Sequence, residues 1–119
     1  MKNNLILEKT KKFAIRIIRL YQHLNKEKQE YTLSKQLLRS GTSIGANAKE
    51  GINAMSKKEF ISKFNISLKE ANETEYWLEL LYETDYINEN EYASINKDCV
   101  ETIKIITAIL KSTTESIKK

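Results

Sequence analysis

The 119-residue chain has no proline, one cysteine, one histidine, one tryptophan and three glycines. Without proline, nothing forces a break in a long helix. A lone Cys99 excludes an intramolecular disulfide and any zinc site built on a cysteine cluster, and it suits a reducing cytoplasm. A lone His23 leaves no Ser–His–Asp constellation to argue. It also fails the paired Glu-x-x-His pattern of a di-iron bundle, because the residue three before it is Leu20. No run of about 18 apolar residues exists, so no membrane helix is expected. The N-terminus turns charged after Leu5, Ile6 and Leu7, too few residues for a signal-peptide core. No phosphate-cradling Gly-x-x-x-x-Gly-Lys-[Ser/Thr] loop follows a strand. The expectation is a single domain, cytoplasmic and non-enzymatic, with neither metal nor cofactor.

What is present concentrates in one stretch. Gly41, Gly45 and Gly51 all fall between Ser40 and Gly51, inside a segment that otherwise reads as helix. Each glycine costs a helix about 1 kcal/mol relative to alanine, so three so close together imply a compensating gain. Gly41 and Gly45, with Ala48 on the same side, make a strip almost without side chain. Such a strip admits a neighbouring backbone closely, as small-residue motifs do between membrane helices. Here the partner helix would belong to a bundle in water.

Four helices are predicted. The first spans about 4–25, with Phe13, Ile17, Leu20 and Leu24 at steps of four, three and four. A polar connection, 25–31, leads to a second helix over about 32–54, with Leu33, Leu37, Ile44, Ala48 and Met55 inward. Ser56-Lys-Lys-Glu59 reads as a capping box opening the third helix, whose inward positions are Phe60, Phe64, Ser67, Ala71, Leu78 and Leu81. Asn88 and Glu91 open the fourth in a similar way, with Tyr92, Ile95, Cys99, Ile103, Ile106, Leu110 and Ile117 inward. No strand alternation appears and the loops are short. The fold class is all-α, an antiparallel up-down-up-down four-helix bundle.

Apolar residues outnumber the inward positions. Ala14, Ile18 and Tyr21 widen the stripe of the first helix, and Ile66, Trp77 and Leu80 lie on a second face of the third. Such patches mark contact surfaces. Ile18, Tyr21, Ile66, Trp77 and Leu80 are therefore the expected oligomer interface, with Trp77 as its aromatic anchor.

Charge is unevenly spread. Residues 1–69 hold 15 Lys and Arg against 5 Glu, whereas residues 70–119 hold 5 Lys against 11 Asp and Glu. Lys9, Lys12, Arg16, Arg19 and His23 fall within about 80° of one another on the first helix, at about 100° per residue. Lys35 and Arg39 share a face of the second helix, and Lys57 and Lys58 open the third. A row of cations suits a phosphate backbone, since each counterion released adds affinity. No aromatic residue interleaves the row for base stacking, so binding to RNA or DNA would be weakly sequence-specific and strongly salt-dependent. Multiplying the row in an oligomer would add avidity. Glu70, Glu73, Glu75, Glu79 and Glu83 read as a solvated acidic face. A third, minor reading is a HEPN-like RNase, in which Arg16 and His23 would act on an RNA phosphodiester.

The run Gln36 to Gly51, followed by Ser56-Lys-Lys-Glu-Phe-Ile61 and Ser67 to Glu75, resembles the four-helix-bundle family of 23S rRNA intervening-sequence proteins. The accessory variability determinant of diversity-generating retroelements is similar to it. The likeness covers about residues 8–115; Ala48-Lys49 departs from the Ile-Ala expected there. It implies a homopentamer with a basic surface and, in the retroelement branch, template RNA and a reverse transcriptase as partners. Ser43, Asn47 and Glu50 match the family motif and are expected, with Gly41, Gly45, Ala48 and Gly51, to hold helix contacts. The competing expectation from a different class is a scaffold that binds a protein partner through the Trp77 patch.

Overall fold

The computed structural model describes residues 2–118, with side chains from Leu5 to Ser116. Four helices, α1 (Lys2–Lys26), α2 (Leu33–Ile52), α3 (Lys57–Glu83) and α4 (Glu89–Lys118), form a bundle with principal extents of 51 × 22 × 21 Å. Each helix packs on its neighbours around the ring, α1 on α2, α2 on α3, α3 on α4 and α4 on α1. The antiparallel register is fixed by pairs that meet across each seam: Ile17 with Gly41, Ile44 with Ser67, Ala71 with Cys99, and Arg16 with Asp98.

The heptad stripe of α1 is longer than its sequence suggests. Ile6, Thr10, Phe13, Ile17 and Leu24 are all buried, at steps of four, three, four and seven, and half-buried Leu20 fills the gap. Thr10 can take a core position because its hydroxyl donates to the Ile6 carbonyl at 2.8 Å. The predicted inward residues of α3 and α4 lie in the core or pack against it; Ile117 lies outside the described side chains. Met55 does not point inward. α2 ends at Ile52, so Met55 falls in the connection, 95% exposed.

Both predicted caps of α3 and α4 are formed. Glu59 donates its backbone N–H to Ser56 Oγ at 3.1 Å, while the Glu59 carboxylate accepts from Met55 N. Asn88 and Glu91 exchange both bonds of a capping box, each at 2.8 Å. The start of α2 is capped from further upstream. The Glu30 carboxylate, 8% exposed, accepts from Leu33 N at 3.1 Å and Ser34 N at 2.8 Å. Those N–H groups have no partner in the helix, and a carboxylate there also meets the positive end of the helix dipole. Gln29, with φ 52°, turns the chain so that Glu30 arrives in place.

The small-residue segment does two jobs. A Cβ on Gly41 would lie 2.7 Å from Ile17 Cγ2, and one on Gly45 would lie 3.0 Å from Thr10 Oγ1, so these two glycines admit α1. A Cβ on Gly51 would lie 2.7 Å from the Phe64 ring, so the third admits α3. Ala48 is buried, Ser43 Oγ donates to the Arg39 carbonyl, Asn47 Nδ2 donates to the Ser43 carbonyl, and Glu50 pairs with Lys63 at 3.7 Å. Ser40 and Ser67 complete the close approach of α2 and α3. Thr74 Oγ1 donates to Ser40 Oγ at 2.9 Å, and Ser67 Oγ donates to the Ile44 carbonyl at 2.7 Å.

Candidate nucleic-acid interface

The cationic stripe of α1 faces α4. Lys9, Lys12, Arg16, Arg19 and His23 step by three and four, and α4 presents acids opposite the first part of that row. Lys9 Nζ lies 2.5 Å from Glu101 Oε2 and 3.8 Å from Asp98 Oδ1. Arg16 Nη1 lies 2.7 Å from Asp98 Oδ2, and its guanidinium also donates to the Ser94 carbonyl and hydroxyl. The hydrogen bond from Lys9, followed by its charge, holds the Glu101 carboxyl below its ordinary range. Lys12 bonds Glu8 one turn away at 2.9 Å, and that bond lowers the Glu8 carboxyl in the same way.

The stripe as read from sequence is therefore not a free phosphate ladder. Lys9 and Arg16 are neutralised within the molecule, a correction that follows from the α1–α4 register. Arg39 is neutralised too, by Glu70 at 3.2 Å and by Glu73, so those two glutamates are not simply a solvated face. Arg16 and His23, the pair a nuclease would use, line one groove on the α1–α4 seam, where Arg16 donates to the Ser94 carbonyl, the Asp98 carboxylate and the Ser94 hydroxyl. Arg19 and Lys35 are exposed and, among the described residues, have no side-chain partner.

The antiparallel fold turns the charge asymmetry into polarity along the long axis. A plane through the bundle near Ala14, Ser43, Lys69 and Cys99 separates two ends. One end, built from 2–14, 44–69 and 100–118, holds twelve lysines against five acidic residues, net +7. The other, 15–43 and 70–99, holds seven cations against eleven acidic residues, net −4. At the positive end Lys11, Lys49, Lys58, Lys104 and Lys111 are exposed and, among the described residues, lack side-chain partners. Lys57 donates to Ser116 Oγ at 2.9 Å, a neutral contact that leaves its charge uncompensated. The N-terminus of α3 opens at this same end. Lys57 and Lys58, expected from the sequence as binding residues, lie here, and Lys11, Lys49, Lys104 and Lys111 join them only when four helix ends meet.

The expected interface residues are divided as well. Ile18 and Ile66 are exposed, at 38% and 39%, beside Ile15 at 43% and Tyr76 at 53%. Tyr21 and Leu80 are half-buried. Trp77 packs against the core, and its indole N–H donates to Glu73 at 2.9 Å, so it is anchored within the chain. Cys99 is fully buried, and burial, with the charge of Glu75 as a lesser cause, pushes its thiol up to about 12. Among the described residues no group of three His, Cys, Asp or Glu side chains is arranged to hold a metal ion, and no helix is long and apolar enough to cross a membrane.

The family described as "23S rRNA-intervening sequence protein" matches residues 2–108. A crystal structure from Bacteroides thetaiotaomicron VPI-5482, described as a protein of unknown function from the S23 ribosomal protein family, shares 54% identity with the chain. It superposes with a TM-score of 0.92, over 93% of this chain and 99% of that one. No curated protein matches the chain.

Proposed function

The chain belongs to the 23S rRNA-intervening sequence protein family, and on that premise we propose that it is a non-enzymatic accessory protein that binds the phosphate backbone of RNA or DNA through its lysine-rich end. The observation that carries this reading is the +7 end with its unpartnered, exposed lysines. Lysines gathered this way release counterions when they meet a polyanion, and they attract it over a Debye length of about 10 Å. The proposal includes self-association, which would set several lysine-rich ends side by side; the family resemblance implies five copies. The exposed Ile15, Ile18, Ile66 and Tyr76 would supply apolar contact surface for it.

The test is nucleic-acid affinity measured against salt, for the parent chain and for two variants. In Lys49→Glu/Lys58→Glu the slope of log affinity against log salt should fall by about 2. In Lys9→Gln/Arg16→Gln, whose cations are already paired, it should stay near the parent value. A salt-independent affinity in the parent, or equal losses in both variants, overturns the proposal.

A scaffold that binds a protein partner is the second reading, favoured by the same exposed apolar residues. It predicts a partner retained in Lys49→Glu/Lys58→Glu.

A further inference from the structure

A groove of about 550 Å³ runs along the α1–α4 seam, at the opposite end from the lysine cluster. Its α1 wall is Arg16, Arg19, Leu20 and His23, and its other wall comes from Ile87, Asn90, Glu91, Ser94 and Ile95. The volume lies within the roughly 300–1,000 Å³ common for small-ligand sites. Chemistry divides it into three zones. Leu20, Ile87 and Ile95 form an apolar floor. Arg19 and His23, one helical turn apart, have no side-chain partner among the described residues. Asn90 and Glu91 supply hydrogen-bonding groups from the first turn of α4.

Arg16 does not compete for a ligand. Its guanidinium is committed to Asp98 and Ser94, so it stiffens the wall and cancels the Asp98 charge. Among the described residues lining the groove, that leaves Arg19 as the free permanent cation and Glu91 as the one carboxylate. Glu91 Oε1 accepts from Asn88 N at 2.8 Å, which fixes the carboxylate and leaves Oε2 able to accept again.

A ligand that fits all three zones has an anionic end, a flat apolar body and a far edge that donates hydrogen bonds. We infer that this groove binds a nucleoside phosphate whose base carries an amino group, with guanine the best match. The phosphate sits on Arg19 and His23, which donate to it, the guanidinium in a two-pronged fashion. The base covers Leu20, Ile87 and Ile95, and its ring N–H and amino group donate to Glu91. A uracil edge, lacking the amino group, satisfies that carboxylate less well, and inorganic phosphate uses neither floor nor Glu91. The ligand comes from one of two sources, a free mononucleotide or an unpaired nucleotide of a strand. The site stands apart from the lysine-rich end and does not require backbone binding there.

The experiment follows backbone amide NMR shifts of the full chain during titration with guanosine 5′-monophosphate, uridine 5′-monophosphate and inorganic phosphate. Saturable shifts centred on Leu20, Ile87 and Ile95 are expected with the guanosine nucleotide, and binding about tenfold weaker with the other two. Arg19→Gln should weaken the guanosine nucleotide about tenfold. Asn90→Trp, at an exposed position on the rim, should fill the groove and abolish binding with the melting temperature unchanged. Equal affinity for inorganic phosphate, or shifts indifferent to Asn90→Trp, would overturn the inference. A short oligonucleotide with an unpaired guanosine separates the sources: tighter binding than the mononucleotide, lost in Asn90→Trp, assigns the groove to a strand, and equal binding assigns it to the free nucleotide. If Lys49→Glu/Lys58→Glu loses strand binding while the mononucleotide titration is intact, the two readings are independent. If Asn90→Trp leaves both strand and mononucleotide binding intact, only the groove assignment fails.

Discussion

Gly41 of α2 and Ile17 of α1 touch so closely that no side chain fits between them: a Cβ on Gly41 would lie 2.7 Å from Ile17 Cγ2 and 2.8 Å from Cγ1. Ile17 is fully buried and β-branched, so it has little freedom to move aside. Gly41→Ala gains about 1 kcal/mol of helix propensity and loses about 1–3 kcal/mol to overpacking. Net destabilisation of up to about 2 kcal/mol is expected. Gly45→Ala meets Thr10 less tightly, Oγ1 at 3.0 Å, Cβ at 3.2 Å and the backbone carbon at 3.6 Å, and should cost less than Gly41→Ala. Urea unfolding of the two variants checks the order; a Gly41→Ala protein more stable than Gly45→Ala would contradict it.

Removing the Glu30 carboxylate leaves Leu33 N and Ser34 N without their acceptor at the buried start of α2. Loss of a capping acceptor costs about 0.5–2 kcal/mol. Glu30→Gln keeps one oxygen and should cost less than Glu30→Ala. Hydrogen exchange at Leu33 and Ser34 should accelerate in both variants, and unchanged protection would rule the cap out as their source of stability.

Acid should loosen the α1–α4 seam through Glu101. Its carboxyl is held below the ordinary range by the Lys9 hydrogen bond, so the folded state binds this proton less readily than the unfolded chain. The stability this contributes is present above the ordinary carboxylate range and disappears as pH falls through the lowered folded value. In Lys9→Met that part of the acid dependence should vanish. Unfolding curves from neutral pH down to the carboxylate range, in parent and variant, measure it.

The Cys99 thiol should be inert while the protein is folded. With its pKa at about 12 and its sulfur fully buried, almost no thiolate exists at neutral pH and none is reachable. Reaction with a disulfide reagent should therefore track unfolding, rising with urea in step with loss of helix. Rapid labelling in the native protein would place the thiol elsewhere.

Much of this fold is legible along the chain. The heptads of α1 and α4 and the Ser56 and Asn88 caps can be found from sequence because each is a local relation, complete within one or two turns of helix. The partners of Gly41, Gly45 and Gly51 cannot. The sequence says that something approaches, and only the bundle shows α1 at two of these glycines and α3 at the third. The exposure of Met55 is not legible either, because apolar periodicity alone does not mark the residue at which α2 stops.

Charge shows the same division most clearly. The chain by itself determined four amphipathic helices, a small-residue contact strip and an excess of cations in its first 69 residues. The tertiary structure decided which cations remain free. Antiparallel packing sets Asp98 and Glu101 against Arg16 and Lys9, and it gathers lysines from four separate segments at one end. The reason is physical: apolar burial depends on periodicity within one helix, whereas Coulomb pairing depends on distances between helices, and those exist only after the chain has folded.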